Sequence, residues 1–426
     1  MTDVQGVGGR IEPDVHPDRT RRETLAEHRK IGAVVNEAPG LKIGEQVHAK
    51  RNGTAGSSSC IYYVAAVSQG DSRSVAACQQ LFADFARTSD APLYADLAAG
   101  IAEDPQLAAL LLAAPPSQRL PVLLFASVHW MLLAEPTASL ARFYPNLPVP
   151  PAASGTRRVS AIDAFREFCA ERPGELAALL ATRRTQTNEI GRCALFVPSM
   201  AALAAECGPL AHVDVGASAG LNLLIPHYDF VYEPGGELAT GSTVTITCST
   251  RGDVPVPASH PPIAASIGLD TDPVDVSDPL QARWLEACVW PDQVERFERL
   301  GAAIEIANRV GVDVRPGDAV DDVAALIDEA GRSGHPVVTT SWVLNYSSAA
   351  ARQEFVTALD RAAQTRDLSW LIAESPALCA GLPGMPPARQ GPKQPTAVVV
   401  VRWRDGRRDA RHVANCHPHG RWLHWQ

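Results

Sequence analysis

The sequence predicts an α/β protein in which a helical N-terminal part precedes a mostly parallel β-sheet. Three observations lead to this fold class. Apolar residues recur at helical spacing from about residue 72 to residue 207. After His212, short β-branched runs alternate with helical stretches, which is typical of βαβ units. Runs at 396–403 and 413–425 flank Asp405-Gly406, and this spacing predicts a C-terminal antiparallel hairpin that closes the sheet edge.

Composition excludes several classes of protein. The 426 residues include 38 Lys plus Arg against 47 Asp plus Glu, and this net charge of −9 argues against a nucleic-acid partner. Nine scattered cysteines contain no C-x-x-C pair, so the chain is expected to be reduced and cytoplasmic. The longest apolar run, Leu120 to Ala134, has 15 residues and contains Pro121, so we expect no membrane partner.

The helical part is predicted as a domain over residues 60–207, after a loose N-terminal extension at 1–59 that is rich in Gly, Ser and charge. Asp104-Pro105 and Ser160 with Asp163 predict two capped helix starts. The first helix face is predicted from residues spaced three and four apart, namely Val75, Cys78, Leu81, Phe82 and Phe85.

Residues 208–426 are predicted to form a Rossmann-like domain, with an insertion near 228–262 between its first helix and its second strand. The predicted strands lie at 213–215, 263–269, 312–314, 337–343 and 369–372. A sheet of this kind binds ligands beyond the carboxyl ends of its strands.

The most informative segment is the turn from Asp214 to Asn222, which follows the first strand and precedes a predicted helix. A dinucleotide fingerprint would need glycine at 216, 218 and 221, and two of these positions hold Ser218 and Leu221. The letters from Gly216 to Gly220 also match the G-x-S-x-G turn of serine hydrolases, with Ser218 as the nucleophile. The mostly helical 150 residues before the turn and the absence of an HGGG-type segment count against that hypothesis.

An acidic residue two positions before the first glycine, here Asp214, is suited to binding S-adenosylmethionine, because this ligand carries an ammonium and a sulfonium group. Asp214, Asp270 and Asp318 end three predicted strands in chain order, and they are expected to converge at one sheet edge. Each of them also has a structural alternative, since a strand-end Asp commonly caps its own turn.

These residues carry a resemblance. The core resembles class I S-adenosylmethionine-dependent methyltransferases, which implies that Asp270 binds the ribose and that Asp318 and Ala319 meet the adenine. Gly216, Ser218 and Gly220 would then form the cofactor turn with Asp214, although that family often has glycine at 218. Residues 75–425 also resemble an actinobacterial family known as domain of unknown function 2332. The blocks that carry this second resemblance are Pro92–Tyr94, Val128–His129, Thr185–Glu189, Val215–Leu224, Trp284–Pro291 and Ala373–Pro376.

Two further groups of polar residues are candidates for the acceptor. Arginine forks bind carboxylates or phosphates, so a site-lining role toward a carboxylate of the substrate or of the cofactor is predicted, with Arg183, Gln186, Asn188, Glu189 and Arg192 as the substrate-binding candidates. A capped helix start with salt bridges to the Rossmann-like part is the alternative. Asn345 and Tyr346 follow the fourth strand and could orient an acceptor. Glu374 ends the fifth strand and is the candidate base, with helix capping as its alternative.

Histidine-rich positions are interpreted structurally. His129 lies in an apolar stretch and is predicted to be a hydrogen-bonded core residue. The run Cys416-His417-Pro418-His419 is predicted to be a solvated turn, and no metal site is expected there.

The function predicted from these observations is transfer of a methyl group from S-adenosylmethionine to a small-molecule acceptor. Two alternatives from other classes stay open: a non-catalytic Rossmann-like ligand-binding protein, and the serine hydrolase. The acceptor and the oligomeric state do not follow from the sequence.

Overall fold

A computed structural model describes residues 74–148, 159–389 and 394–426. The predicted N-terminal extension at 1–59 lies outside the described residues, as do residues 60–73 of the predicted helical part.

The helical part contains seven α-helices within the described ranges. They are α1 (Val75–Thr88), α2 (Pro92–Ala102), α3 (Pro105–Ala109), α4 (Pro121–Ala134), α5 (Ala161–Glu171), α6 (Pro173–Thr182) and α7 (Cys193–Cys207). The predicted starts of α3 and α5 are confirmed, because the side chains of Asp104 and Ser160 accept hydrogen bonds from the first-turn N–H groups.

Phe125 on α4 is the centre of the helical core. The ring of Tyr94 stacks on it at 4.4 Å between centroids, and Phe82 and Phe165 approach at 5.9 and 6.2 Å. Because α4 is apolar on all sides, nearly its whole surface is buried between neighbouring helices. His129 on the same helix is fully buried and hydrogen-bonded to the Ala287 carbonyl, as the core interpretation predicted.

Eleven strands form one sheet across the described residues. Their bounds are β1 (Leu210–Val215), β2 (Asp229–Glu233), β3 (Gly236–Leu238), β4 (Thr245–Arg251), β5 (Ile263–Asp270), β6 (Val314–Pro316), β7 (His335–Ser341), β8 (Leu368–Glu374), β9 (Thr396–Arg404), β10 (Arg407–Cys416) and β11 (Trp422–Trp425). The spatial order is β3-β2-β4-β11-β10-β9-β8-β7-β1-β5-β6.

Five neighbouring strands, β6-β5-β1-β7-β8, are mutually parallel. Numbered along the chain, they follow the order 3-2-1-4-5 of a doubly wound sheet, in which the order reverses between β1 and β7. The predicted mixed α/β fold with a largely parallel sheet is therefore confirmed.

Helices cover both faces of the parallel strands. On one face lie α7 and α9 (Val294–Val310), preceded in the chain by α8 (Pro279–Ala287); on the other lie α10 (Val323–Ala330) and α11 (Ala349–Ala362). The predicted domain boundary at residue 207 falls between α7 and β1, and α7 packs against the sheet that follows it.

The segment after β1 differs from the prediction. A short 3-10 helix, Leu221–His227, stands where an α-helix was expected, because Pro226 and the non-helical backbone of Leu224 interrupt it. The predicted insertion then supplies β2, β3 and β4, which enlarge the same sheet.

The C-terminal hairpin is confirmed, but it does not close the sheet. β9 and β10 pair antiparallel around Asp405-Gly406 as predicted. Pro418 and the left-handed Gly420 split the predicted run at 413–425 into β10 and β11. Since β11 pairs in parallel with β4, three more strands extend the sheet beyond it.

One helical stretch, Ile190–Cys207, is long and apolar enough to cross a membrane by length and composition alone. It is 67% buried inside the protein, as a core helix is.

Phe125→Ala should lower the free energy of unfolding by about 3–5 kcal/mol, because it leaves a cavity among several buried rings. Urea denaturation measures the effect. The matched control is Val310→Ala at the exposed end of α9, which should change stability by less than about 0.5 kcal/mol. Equal losses in the two variants would contradict the central place given to Phe125.

Candidate functional site

The turn after β1 lies where the strand order reverses. Gly216, Ser218 and Gly220 have φ angles of 77°, 55° and 73°, so the chain runs left-handed at every second residue. A Cβ atom on Gly216 would come within 2.3 Å of Val343, and one on Gly220 within 2.5 Å of Val314. Both glycines are therefore required for the turn to lie close to its neighbours.

Asp270 joins this turn to the end of β5. Its Oδ2 accepts a hydrogen bond from the Ser218 backbone N–H at 2.8 Å, and its Oδ1 accepts one from Asp272 N–H at 2.9 Å. The Val274 N–H in turn donates to the Ser218 carbonyl at 3.1 Å. The glycine turn and the loop after β5 therefore form one hydrogen-bonded unit.

Asp214 is buried beneath the turn, with 2% of its surface exposed. Thr339 on β7 donates to its Oδ1 at 2.6 Å and accepts from His212. The pKa of Asp214 is raised to about 7, chiefly by burial; the Thr339 hydrogen bond opposes this shift, the charge of Asp270 contributes to it, and the charge of Arg192 and the side chain of Asn222 oppose it. Its Oδ2 makes no hydrogen bond of good geometry to any described residue.

Asp318, the third strand-end acid, adopts the capping alternative. Its exposed carboxylate accepts hydrogen bonds from the N–H groups of Val320 and Asp321 in the turn that leads to α10. Ala319 lies partly exposed beside it.

The segment before α7 connects the strand ends. Gln186 donates to the Asp272 carbonyl at 3.0 Å, and Asn188 accepts from Leu221 N–H at 2.9 Å. Arg192 donates to the carbonyls of Ser341 and Pro418 at 3.0 and 2.9 Å. Arg183 lies apart from this group, with its guanidinium 5.4 Å from the centre of the Trp284 ring.

Glu189 is the one acid of this segment, residues 183–192, and it is buried. Its carboxylate contacts Arg296 Nε at 2.6 Å, His419 Nδ1 at 3.0 Å and Gly191 N–H at 3.0 Å. Burial alone would raise the pKa of Glu189, but the charge of Arg296 and the His419 hydrogen bond hold it well below the usual range. Burial lowers the pKa of His419 to about 4, so the ring is neutral when it donates to Glu189.

The turn 417–420 is therefore buried, and the prediction of a solvated turn is wrong. His417 and His419 are only 6% and 7% exposed, because the turn folds over the segment that contains Glu189. No local signal in the sequence pairs residues 230 positions apart. Among the described residues, no group of three or more His, Cys, Asp or Glu side chains is placed to hold a metal ion.

Two glycines allow this close approach. A Cβ atom on Gly191 would lie 2.5 Å from the His419 carbonyl oxygen, and one on Gly420 would collide with the carbonyl of Gly191. The two backbones therefore cross in direct contact.

The loop after β7 rests on Glu374. The Glu374 carboxylate accepts from the N–H groups of Val343 and Leu344 at 2.9 and 3.1 Å, and the Cys379 thiol lies 3.7 Å from its second oxygen. Burial raises the pKa of Glu374 to about 7. The predicted base thus holds the backbone of the short 3-10 helix Leu344–Tyr346.

The two predicted acceptor residues lie on that 3-10 helix. Asn345 is partly buried, and Tyr346 is 70% exposed. Trp342, two residues before this 3-10 helix, has a left-handed φ of 56° and is held by a hydrogen bond from its indole to Thr396.

The carboxyl edge therefore collects most of the predicted site. Hydrogen bonds join the glycine turn, Asp270, Gln186 and Asn188, and those of Glu189 and Arg192 in the same segment reach the turn 417–420. Asp214 lies beneath the glycine turn with Thr339 as its partner, and Glu374 supports the neighbouring loop. Sequence reasoning did not single out Arg296 and Arg299, and it assigned His417 and His419 to a solvated turn.

Comparison with known proteins gives one match. The family model described as "Uncharacterized protein conserved in bacteria (DUF2332)" matches residues 79–425. No curated protein and no solved structure matches the chain.

Gly191→Ala should destabilise the protein by about 1–3 kcal/mol, because the added methyl group meets a backbone oxygen that has little room to move. In the control Gly174→Ala, the new Cβ meets nothing within 4 Å at an exposed position of α6, and stability should rise by about 0.5–1 kcal/mol. Urea denaturation compares the two; a Gly191 variant as stable as the wild type would refute the close crossing.

Glu374→Gln isolates the titration of the buried carboxyl. A folded-state pKa of about 7, above the usual value, means that the folded protein binds a proton that the unfolded chain releases. The wild type should therefore lose stability relative to Glu374→Gln as the pH rises from about 4.5 to about 7, by at most roughly 3 kcal/mol. Urea denaturation at several pH values measures the difference, and a difference that does not vary with pH would contradict it.

Proposed function

The chain belongs to the DUF2332 family, and from the geometry of its site we propose that it is an S-adenosylmethionine-dependent methyltransferase acting on a small-molecule acceptor. One observation carries the proposal: the Asp270 carboxylate lies one hydrogen bond from the backbone of the glycine turn, where the order of the parallel strands reverses. Open α/β sheets bind their ligands at this point.

Asp270 is suited to a ribose. Each carboxylate oxygen accepts one backbone N–H and keeps further acceptor capacity, and the side chain is partly exposed. The two neighbouring hydroxyl groups of a ribose are donors with matching geometry. Asp270 would therefore hold the sugar above the turn that it already orders.

Asp214 is suited to the positive charge of the cofactor. Its buried Oδ2 makes no hydrogen bond of good geometry to a described residue, although the Asn222 side chain helps to lower its pKa, and an acceptor left in this state is costly unless a ligand or water completes it. A cation at the turn would favour the ionised carboxylate and offset its desolvation. Asp318 and Ala319 remain the predicted adenine contacts. Asp318 would contact the adenine while its carboxylate also accepts the hydrogen bond from Val320 N–H in its own turn.

When bound, the cofactor supplies an electrophilic methyl group, and the protein supplies position. Asn345 and Tyr346 would orient the acceptor from the loop after β7. The hydrogen bonds of Glu374 favour a positioning role beneath this loop over that of a general base, because its first oxygen accepts two backbone N–H groups and the side chain is buried. Most of the rate would come from holding acceptor and methyl group in attack geometry.

The alternatives differ in what they require. A hydrolase needs a base on its nucleophile, but Ser218 Oγ is buried without a hydrogen-bond partner among the described residues, so the geometry disfavours that function. A non-catalytic ligand-binding protein would share the cofactor site and differ by showing no turnover.

Calorimetric titration with S-adenosylhomocysteine tests the proposal. The wild type should bind, and Asp270→Asn should bind about 10- to 100-fold more weakly, because it removes a charged acceptor. The control Asp409→Asn changes a carboxylate whose ion-pair partner is the exposed Arg411 on β10, and it should bind as the wild type does. Absence of binding to the wild type, or equal affinities in all three proteins, would refute the assigned cofactor site.

A further inference from the structure

Arg296 and Arg299 lie one turn apart on α9 and both face Glu189. Arg192 adds a third guanidinium nearby, whose charge interacts with that of Glu189 although its hydrogen bonds go to the carbonyls of Ser341 and Pro418. The charge of Glu374 also interacts with that of Arg192, but the Glu374 carboxylate already accepts hydrogen bonds from the backbone of the loop after β7. The cluster therefore has more positive than negative charge in a region largely shielded from water, and such a surplus is unfavourable unless an anion compensates it.

Arg299 is the least satisfied member of the cluster. Its buried Nε has no hydrogen-bond partner among the described residues, and its Nη2 is 3.7 Å from the nearest oxygen of Glu189. Arg296 is bound more closely, at 2.6 Å from Glu189 and 2.8 Å from Gln293. Arg299 can therefore still donate hydrogen bonds to a further acceptor.

A small recess opens beside these donors. Its polar lining comes from Thr187, Asn188, Glu189, Arg296 and Arg299, and Leu285 and Leu300 are among its apolar residues. Because the Glu189 carboxylate already lies against Arg296, a bound anion would have to be held chiefly by Arg299. Its free volume of about 10 Å³ suits roughly one water-sized group, so it takes the end of a ligand and leaves the remainder outside.

We propose that this recess binds the carboxylate group of a small organic acid, and that this acid is the methyl acceptor. A nucleophilic atom on the part of the acid outside the recess would form a bond to the methyl carbon as the carbon–sulfur bond of the sulfonium breaks; S-adenosylhomocysteine would leave, and the proton on the nucleophilic atom would pass to solvent. The statement about the acceptor rests on the proposed function; carboxylate binding does not. A planar carboxylate matches the fork of a guanidinium, and one of its oxygens fits the recess. Asn188, which lines the recess, also holds the start of the 3-10 helix after the glycine turn, so the bound acid would lie next to the cofactor site.

Thermal unfolding in the absence of cofactor tests the recess by itself. Sodium propionate should raise the melting temperature of the wild type more than propionamide or sodium chloride does at equal ionic strength, because only the carboxylate completes the fork. Arg299→Gln should weaken the apparent propionate affinity at least about tenfold, since it removes a charge-assisted hydrogen bond. Arg309→Gln, at the exposed C-terminal end of the same helix, should keep the wild-type response.

Three results would overturn the assignment. An equal response to propionate and propionamide would show that charge is not recognised. An equal response to chloride would identify a site for small inorganic ions, and an unchanged response in Arg299→Gln would place binding elsewhere. Each result stands apart from the titration with S-adenosylhomocysteine, so carboxylate binding and cofactor binding can fail separately.

Methyl-transfer assays test separately whether the bound acid is the acceptor. With S-adenosylmethionine and a panel of small acids and their amides, methyl transfer should be confined to the acids, and Arg299→Gln should raise KM with a smaller change in kcat. Methylation of the amides at equal rates would overturn the acceptor assignment and leave the cofactor site intact.

Discussion

The buried carboxylate of Glu189 is the interaction on which the rest of the site depends. It faces Arg296 on α9, His419 in the turn between β10 and β11, and the backbone of its own segment. These groups come from three distant parts of the chain and meet at one edge of the sheet. Removal of this one charge would leave neighbouring guanidinium groups buried without a counter-ion, which is far more costly than the loss of an exposed ion pair.

The segment that leads from the helical part to the sheet is itself part of this arrangement. The segment between α6 and α7 crosses the carboxyl edge and ties the loop after β5, the glycine turn, the end of β7 and the β10–β11 turn together through backbone carbonyl and N–H groups. A parallel sheet alone leaves these loops attached only by their strands. The same polar segment therefore serves as a structural clamp and as a wall of the candidate site.

Sequence reasoning succeeded where the signal is local. Caps such as Ser160, the β-branched runs and the glycine turn depend on neighbouring residues, so their structures follow from spacing. It failed where the partner is remote: the burial of His419 and the pairing of β11 with β4 depend on contacts between distant segments. For Asp318 and Glu374, the sequence pattern is the same whether the carboxylate caps a turn or binds a ligand, because both roles place an acid at a strand end. The hydrogen bonds seen in the structure are needed to tell which backbone groups each carboxylate holds.

The contact between Glu189 and His419 joins residues 230 positions apart, and this separation has a consequence for biosynthesis. At about 5–20 residues per second, translation of the intervening chain takes roughly 10 to 50 s. Throughout that interval the nascent chain holds the Glu189 segment and then the arginines of α9 without the turn that covers them. The carboxyl edge therefore becomes complete only after the turn at 417–420 has been made, because Glu189 and Arg192 both bond to that turn.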